Sequence, residues 1–285
     1  RRKLSLADNP FLTDHVIGGR AVLPTVCAVS WMVGACEGLY PGYQFHRVDD
    51  YRVLKGVVFD QELADAHILD ITTKPSCDPD QVVLETMIWS QRDDGVPRYH
   101  YRAQVTLRRV TSDDVGSGPS PTIHRVTPPD YGLYQDGTLF HGERLQGIEA
   151  ILNIDESGLT MRASLPPLSW GDQGQFPVGT FNPYLVDVHL QSLLVWARRY
   201  VGHGGLPLRI EQGVQYRAMP FGAPMLTTMR VRSRSNQALV ADVEMRDSRD
   251  AVCMVVRGAE ITLSPRLNTL FLQNQLEPSH AGLGL

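Results

Sequence analysis

The chain has 285 residues, 42% of them hydrophobic and 20% charged, with a net charge of −4 and an isoelectric point near 6.1. This is the composition of an ordinary globular chain, enough for one large domain or two of roughly 100–150 residues. It excludes a basic field that would attract nucleic acid or anionic lipid, and the longest apolar run, around Leu193 to Ala197, is far too short to span a bilayer.

Taken in chain order, no signal peptide is expected at the opening, and Arg1 in place of methionine is expected to mark a cut inside a longer polypeptide, as is the closing Glu277-Pro278-Ser279-His280-Ala281-Gly282. Pro24 starts a helix that runs through Trp31 to about Glu37, with Gly38 available to end it. The segment Val22–Ala35 is apolar nearly all round, so this helix should be wrapped and not surface-lying. The segments expected to wrap it are Gln44–Phe59, His67–Thr72, Val82–Trp89 and Arg98–Arg109, the last two rich in Val, Ile, Tyr and Trp.

Residues 111–130, proline-rich with little apolar content, read as a linker. Beyond it the same order of elements returns. Asn182-Pro183 is an N-cap and first-turn proline for a helix reaching about Tyr200, before Gly202. Strands are expected at Gln146–Ile154, Gly158–Ser164, Val214–Met219, Met225–Arg232, Ala238–Met245 and Val252–Thr262. One long helix embraced by antiparallel strands, occurring twice, suggests an α+β double hotdog: two tandem hotdog subdomains at residues 1–110 and 131–270, with a tail at 271–285.

The four cysteines, Cys27, Cys36, Cys77 and Cys253, form no C-x-x-C pair. Cys27 and Cys36 would stand about 13 Å apart along one helix, too far to bridge; reduced cysteines in a cytoplasmic protein are expected. His46, His67, His100, His124, His189 and His203 are scattered without ligand spacing, so no metal is expected. Gly202-x-Gly204-Gly205 follows a helix and not a strand, which makes it a C-cap and turn. Arg198-Arg199 is a solvated helix end, and no Ser or Cys stands in a nucleophile elbow.

Two motifs carry chemistry. The first, His15-Val16-Ile17-Gly18-Gly19-Arg20-Ala21-Val22-Leu23-Pro24, fits H-x-x-x-G-x-x-x-x-P. Its histidine should sit on an extended loop, Gly19 should let a backbone N–H approach a ligand, and Pro24 should start the helix. The second is Asp187-Val188-His189-Leu190-Gln191, in which positions i and i+4 share a helix face, so Gln191 can orient the Asp187 carboxyl. A carboxyl flanked by Tyr184, Leu185, Val186 and Val188 needs a reason to be there.

Both motifs, and the lead-in Asn9-Pro10-Phe11-Leu12-Thr13-Asp14, resemble the dehydratases of polyketide and polyunsaturated-fatty-acid synthases. Leu139–Gly147 resembles that family's segment at the start of the second hotdog, with His141 in place of a Tyr, and Glu143 and Leu145 in place of Pro and Phe. Leu206-Pro207-Leu208-Arg209-Ile210 lies where the family has an L-P-F-x-W type segment and lacks both aromatics. The resemblance implies a lyase, a 3-hydroxyacyl-ACP dehydratase with His15 and Asp187 catalytic, supported by Gly19, Pro24 and Gln191, and with His141, Gly142, Leu206 and Pro207 along the substrate tunnel. It implies a (3R)-3-hydroxyacyl thioester carried on the phosphopantetheine of an acyl carrier protein, no cofactor of the enzyme's own, and partners among the other domains of the same synthase. A homodimer is one assembly open to it.

In that mechanism His15 takes a proton from the carbon beside the thioester. The enolate oxygen meets the amide of Gly19 or a neighbour, and Asp187, kept neutral by burial, protonates the leaving hydroxyl to give a trans-2-enoyl product. The alternatives are a product-template-like aldol cyclase using the same pair, a non-catalytic scaffold, and a hotdog thioesterase.

Overall fold

A computed structural model describes residues 1–92, 94–110 and 132–277. The expected linker at 111–130 lies outside the described residues, as do the last residues of the expected tail. A short 3-10 turn, Pro10–Asp14, leads into β1 (Val16–Ile17), β2 (Arg20–Val22) and α1 (Thr25–Leu39). There follow β3 (Tyr43–Val53), β4 (Val58–Phe59), β5 (His67–Lys74), β6 (Gln81–Gln91) and β7 (Pro97–Arg109). The second half holds β8 (Ile148–Asp155), β9 (Gly158–Ala163), the short α2 (Trp170–Gln173) and α3 (Pro183–Tyr200), then β10 (Gly204–Gln215), β11 (Met225–Arg234), β12 (Ala238–Arg246), β13 (Val252–Ser264) and α4 (Arg266–Leu272).

Ten strands form one antiparallel sheet in the order β5-β6-β7-β3-β10-β13-β12-β11-β9-β8. The two halves meet where β3 pairs with β10, Tyr51 opposite Ile210 and Val48 opposite Gly213. Joining at this seam hides two strand edges that would otherwise be open to pairing. α1 and α3 touch each other, α1 packing on β3, β6 and β7 and α3 on β8 to β12. α1 buries Val26, Val29, Met32, Val33 and Cys36, and α3 buries nearly its whole circumference, Trp196 included. This is the double hotdog. Phe11 ties the N-terminal loop to the second half by edge-to-face contacts with Phe176 at 5.9 Å and Tyr184 at 5.2 Å.

Local punctuation differs from expectation in four places. Gly38 lies inside α1, which continues to Leu39, and the chain turns instead at Gly42, the residue with positive φ. Gln44–Phe59 is two strands, β3 and β4. Gly202 does close α3, its amide bonded to the Ala197 carbonyl, but Gly204 and Gly205 already belong to β10, ten residues before the expected start at Val214. They are glycines because a Cβ would stand 2.8 Å from Leu267 at the first position and 2.5 Å from Ile261 at the second. Pro207, which cannot donate to a ladder, is accommodated by a register shift between Pro207 and Arg209. Finally, residues 271–277, expected as a tail, pack onto the His15 loop: the Gly19 amide donates to the Gln273 carbonyl at 2.9 Å, and the Glu277 amide to the Gly19 carbonyl at 3.0 Å.

Candidate active site

The spacing of the first motif is that of a hairpin which closes on its own histidine. Gly18 and Gly19 both have positive φ, 59° and 76°, as a two-residue hairpin turn requires. They return the chain so that the Val22 amide donates to the His15 carbonyl at 3.0 Å and His15 Nδ1 donates to the Val22 carbonyl at 2.7 Å. That bond places the imidazole proton on Nδ1 and leaves Nε2 as a base. Pro24 then caps α1.

The structure corrects the expected part of Gly19. Its amide is bonded to Gln273 and that of Gly18 to the Leu270 carbonyl, at 3.0 Å, so neither is open to a ligand. The glycines serve the turn and its close contact with α4.

On α3, the Asn182 side chain accepts the Leu185 amide, and Asp187 follows in the next turn. Gln191 reaches Asp187 Oδ2 at 3.4 Å and is itself fixed, donating to the Leu145 carbonyl at 3.0 Å and accepting the Tyr134 hydroxyl at 2.9 Å. The strongest partner of Asp187 is one the sequence did not announce: His141 Nε2 lies 3.3 Å from Oδ2. His15 and His141 form an isolated antiparallel bridge. The His141 ring stacks on Phe140 at 4.1 Å and stands edge-on to His15 at 5.4 Å.

His15, His141 and Asp187 bring their side-chain N and O atoms within 4.8 Å of one another. Among the described residues they are the one group whose donor set could also hold a metal ion. They face a cavity with about 1020 Å³ of empty space, its opening included, whose wall is largely apolar. Leu206 and Pro207 line it, together with Tyr51 and Tyr101. Gly142, expected along the tunnel, packs instead on Asp14, to whose carbonyl its amide donates at 2.8 Å.

Burial lowers His15 to about 4, the Asp187 charge acting against it and His141 with it, so the imidazole is neutral at physiological pH. For Asp187 burial is the largest single influence and pushes upward. The His141 hydrogen bond and charge, the His15 charge and the Gln191 hydrogen bond together outweigh it and hold the carboxyl below its ordinary range. The direction is the opposite of the rise expected from apolar neighbours, because burial alone does not describe a carboxyl with this many partners.

Buried histidines also set the acid limit of the fold. His15, His67 and His189 are each lowered from 6.5 to about 4, chiefly by burial. With folded values below unfolded ones, the stability they contribute is complete above ~6.5 and is lost as pH falls toward 4, at roughly 3 kcal/mol each. That sum rivals the whole stability of an ordinary domain. Thermal melts should fall steeply between pH 6.5 and 4.5, and a melting temperature unchanged across that window would contradict the neutral buried rings.

Two family models match the chain: Polyketide synthase dehydratase domain over residues 1–91, and Polyketide synthase dehydratase N-terminal domain over residues 113–270. A polyunsaturated fatty acid synthase chain from Thraustochytrium sp. is 33% identical over 240 residues, which is 83% of this chain and 8% of that relative's own length. The chain thus corresponds to a small part of that relative. Among solved structures, the dehydratase domain of RzxB from Pseudomonas fluorescens aligns with a TM-score of 0.67 at 13% identity, covering 91% of this chain and 92% of the other. A trans-AT polyketide synthase dehydratase domain from Brevibacillus brevis aligns with a TM-score of 0.62 at 17% identity, covering 89% and 90%. At such identities the two structures speak for the fold. Among the described residues, no helix is long and apolar enough to cross a membrane.

Proposed function

As the chain belongs to the dehydratase family of polyketide and polyunsaturated-fatty-acid synthases, we propose that it removes water from a (3R)-3-hydroxyacyl thioester to give the trans-2-enoyl thioester. The observation that carries this reading is the meeting of His15 and Asp187, from opposite halves of the chain, in one largely apolar cavity. His15, with Nδ1–H held by Val22, presents a free Nε2 to take the proton from carbon 2. In this reading Asp187, on the other side of the cavity, serves the departing 3-hydroxyl. The enolate oxygen is directed to the start of α1, where Thr25 lines the cavity and the helix presents its positive end. Proton transfers complete the reaction, so no cofactor enters it. The substrate arrives on the phosphopantetheine arm of an acyl carrier protein, and the other domains of the synthase are the remaining partners.

The test is direct. The full chain, given a 3-hydroxyacyl thioester on a carrier protein or pantetheine mimic, should form the 2-enoyl thioester, and by microscopic reversibility should hydrate a crotonyl-type thioester. A chain inert in both directions with several acyl lengths is a scaffold, and one that consumes only poly-ketones is a cyclase.

A further inference from the structure

Two imidazoles and a carboxyl converge from three separate segments: His15 from the loop before β1, His141 from the stretch before Gly142, and Asp187 from α3. Their side-chain N and O atoms lie within 4.8 Å of one another. We propose that this triad is a binding site for a zinc ion, and that zinc seated there switches dehydration off by occupying the nitrogen the reaction needs. That the ion binds rests on the geometry of the three side chains; that it inhibits rests on the dehydratase reading above.

The donor set selects the metal. Two imidazole nitrogens and one carboxylate oxygen suit Zn2+, whereas Mg2+ and Ca2+ prefer oxygen ligands. The spacing agrees. Tetrahedral zinc with bonds of ~2.0–2.1 Å holds neighbouring ligand atoms about 3.3 Å apart, and His141 Nε2 lies 3.3 Å from Asp187 Oδ2. One edge of the tetrahedron is thus already built, and His15 completes a face by closing in from at most 4.8 Å.

His15 is prepared for this. Its Nδ1 proton is donated to the Val22 carbonyl at 2.7 Å, the arrangement that fixes the tautomer of metal-bound histidines and leaves the Nε2 lone pair for the ion. His15 and His141 are 6% and 3% exposed, and ring contacts with Phe140, at 4.9 Å and 4.1 Å, hold both in place. The cavity gives the ion a way in and leaves its fourth position open to water.

His141 sets the affinity. When zinc takes Nε2, the ring proton moves to Nδ1, which is buried without a hydrogen-bond partner among the described residues. A missing outer partner typically weakens a metal site by about 10–100-fold. The site is therefore expected to hold zinc reversibly, with a Kd in the micromolar range, which suits an inhibitor and not a resident cofactor. With Nε2 on the metal, His15 has no lone pair left to take the proton from carbon 2.

The full chain, stripped of metal with a chelator, should take up one Zn2+ per chain in a calorimetric titration and no Mg2+ at the same concentration. His15→Ala, His141→Phe and Asp187→Asn should each weaken zinc binding by more than the roughly 100-fold that an outer partner is worth. Cys77→Ser, which removes an exposed thiol, should leave it unchanged. Zinc held equally by wild type and all three variants sits elsewhere on the chain and overturns the proposal. A wild-type chain that takes up no zinc, or binds Mg2+ as tightly, overturns it too. Should the variants fail to fold, the wild-type chain decides. Zinc should shift the imidazole 15N resonances of His15 and His141 together, and shifts confined to other histidines refute the site. Dehydration should fall in step with zinc occupancy and return when chelator is added; full turnover by the zinc-loaded chain refutes the inhibition. A metal-free chain that dehydrates no substrate refutes the dehydratase reading instead, and the binding measurements still decide the site.

Discussion

His15→Ala is expected to lower dehydration by about 10²–10⁴-fold, the span an acid–base group ordinarily supplies, while the chain stays folded. The loop does not depend on the imidazole for its shape, since the His15 amide donates to Leu12 at 3.1 Å and its carbonyl accepts the Val22 amide at 3.0 Å. What the substitution removes is the imidazole whose Nδ1 proton goes to Val22 and whose Nε2 is left as a base. Asp187→Asn should cost a similar factor by a different route. It keeps the shape beside His141 and Gln191 and removes the ionisable carboxyl. Gln191→Ala should cost less than either, because the 3.4 Å contact is the weaker of the two on Asp187. Steady-state rates on carrier-bound substrate, with melting curves for each variant, decide the matter. A His15→Ala chain within about threefold of wild type would remove His15 from the mechanism.

Gly142→Ala, one methyl group, should damage both the fold and the site. A Cβ at residue 142 would collide with the Asp14 carboxyl and stand 2.9 Å from Asp14 Cα, so backbone has to move. Asp14 is held in place by Arg144 at 2.7 Å, and Arg144 in turn by Asp172 at 3.0 Å. The strain therefore falls on the neighbouring pairing of His15 with His141. Overpacking of this kind typically costs about 1–3 kcal/mol, and parting the two histidines draws the base away from Asp187. The expected result is a lowered melting temperature together with a kcat loss greater than about tenfold in the fraction that remains folded. A variant with the wild-type melting temperature and turnover would show that the 14–15 and 141–142 segments do not need this close approach.

The local signals in the chain were sufficient for a good deal of this. Asn182-Pro183 announced α3, and the side chain of Asn182 caps it. The apolar circumference of the first helix announced that it would be wrapped, and a helix–sheet order occurring twice announced two hotdogs. The positions of His15 in its loop and of Asp187 one helical turn before Gln191 follow from spacing within a few residues, so they too could be read directly. Everything that required two distant segments to meet was settled only by the tertiary structure. Gly19 was read as a donor to a ligand, whereas its amide belongs to Gln273 at the other end of the chain. Gly204 and Gly205 were read as a turn, although their lack of side chains makes room for Leu267 and Ile261. Asp187 was expected to be raised by its apolar sequence neighbours, while His141, brought beside it from another segment, pulls it down. Periodicity and capping are encoded within a turn or two of chain. An amide's partner and a carboxyl's charge depend on which atoms arrive through space, and folding alone supplies those.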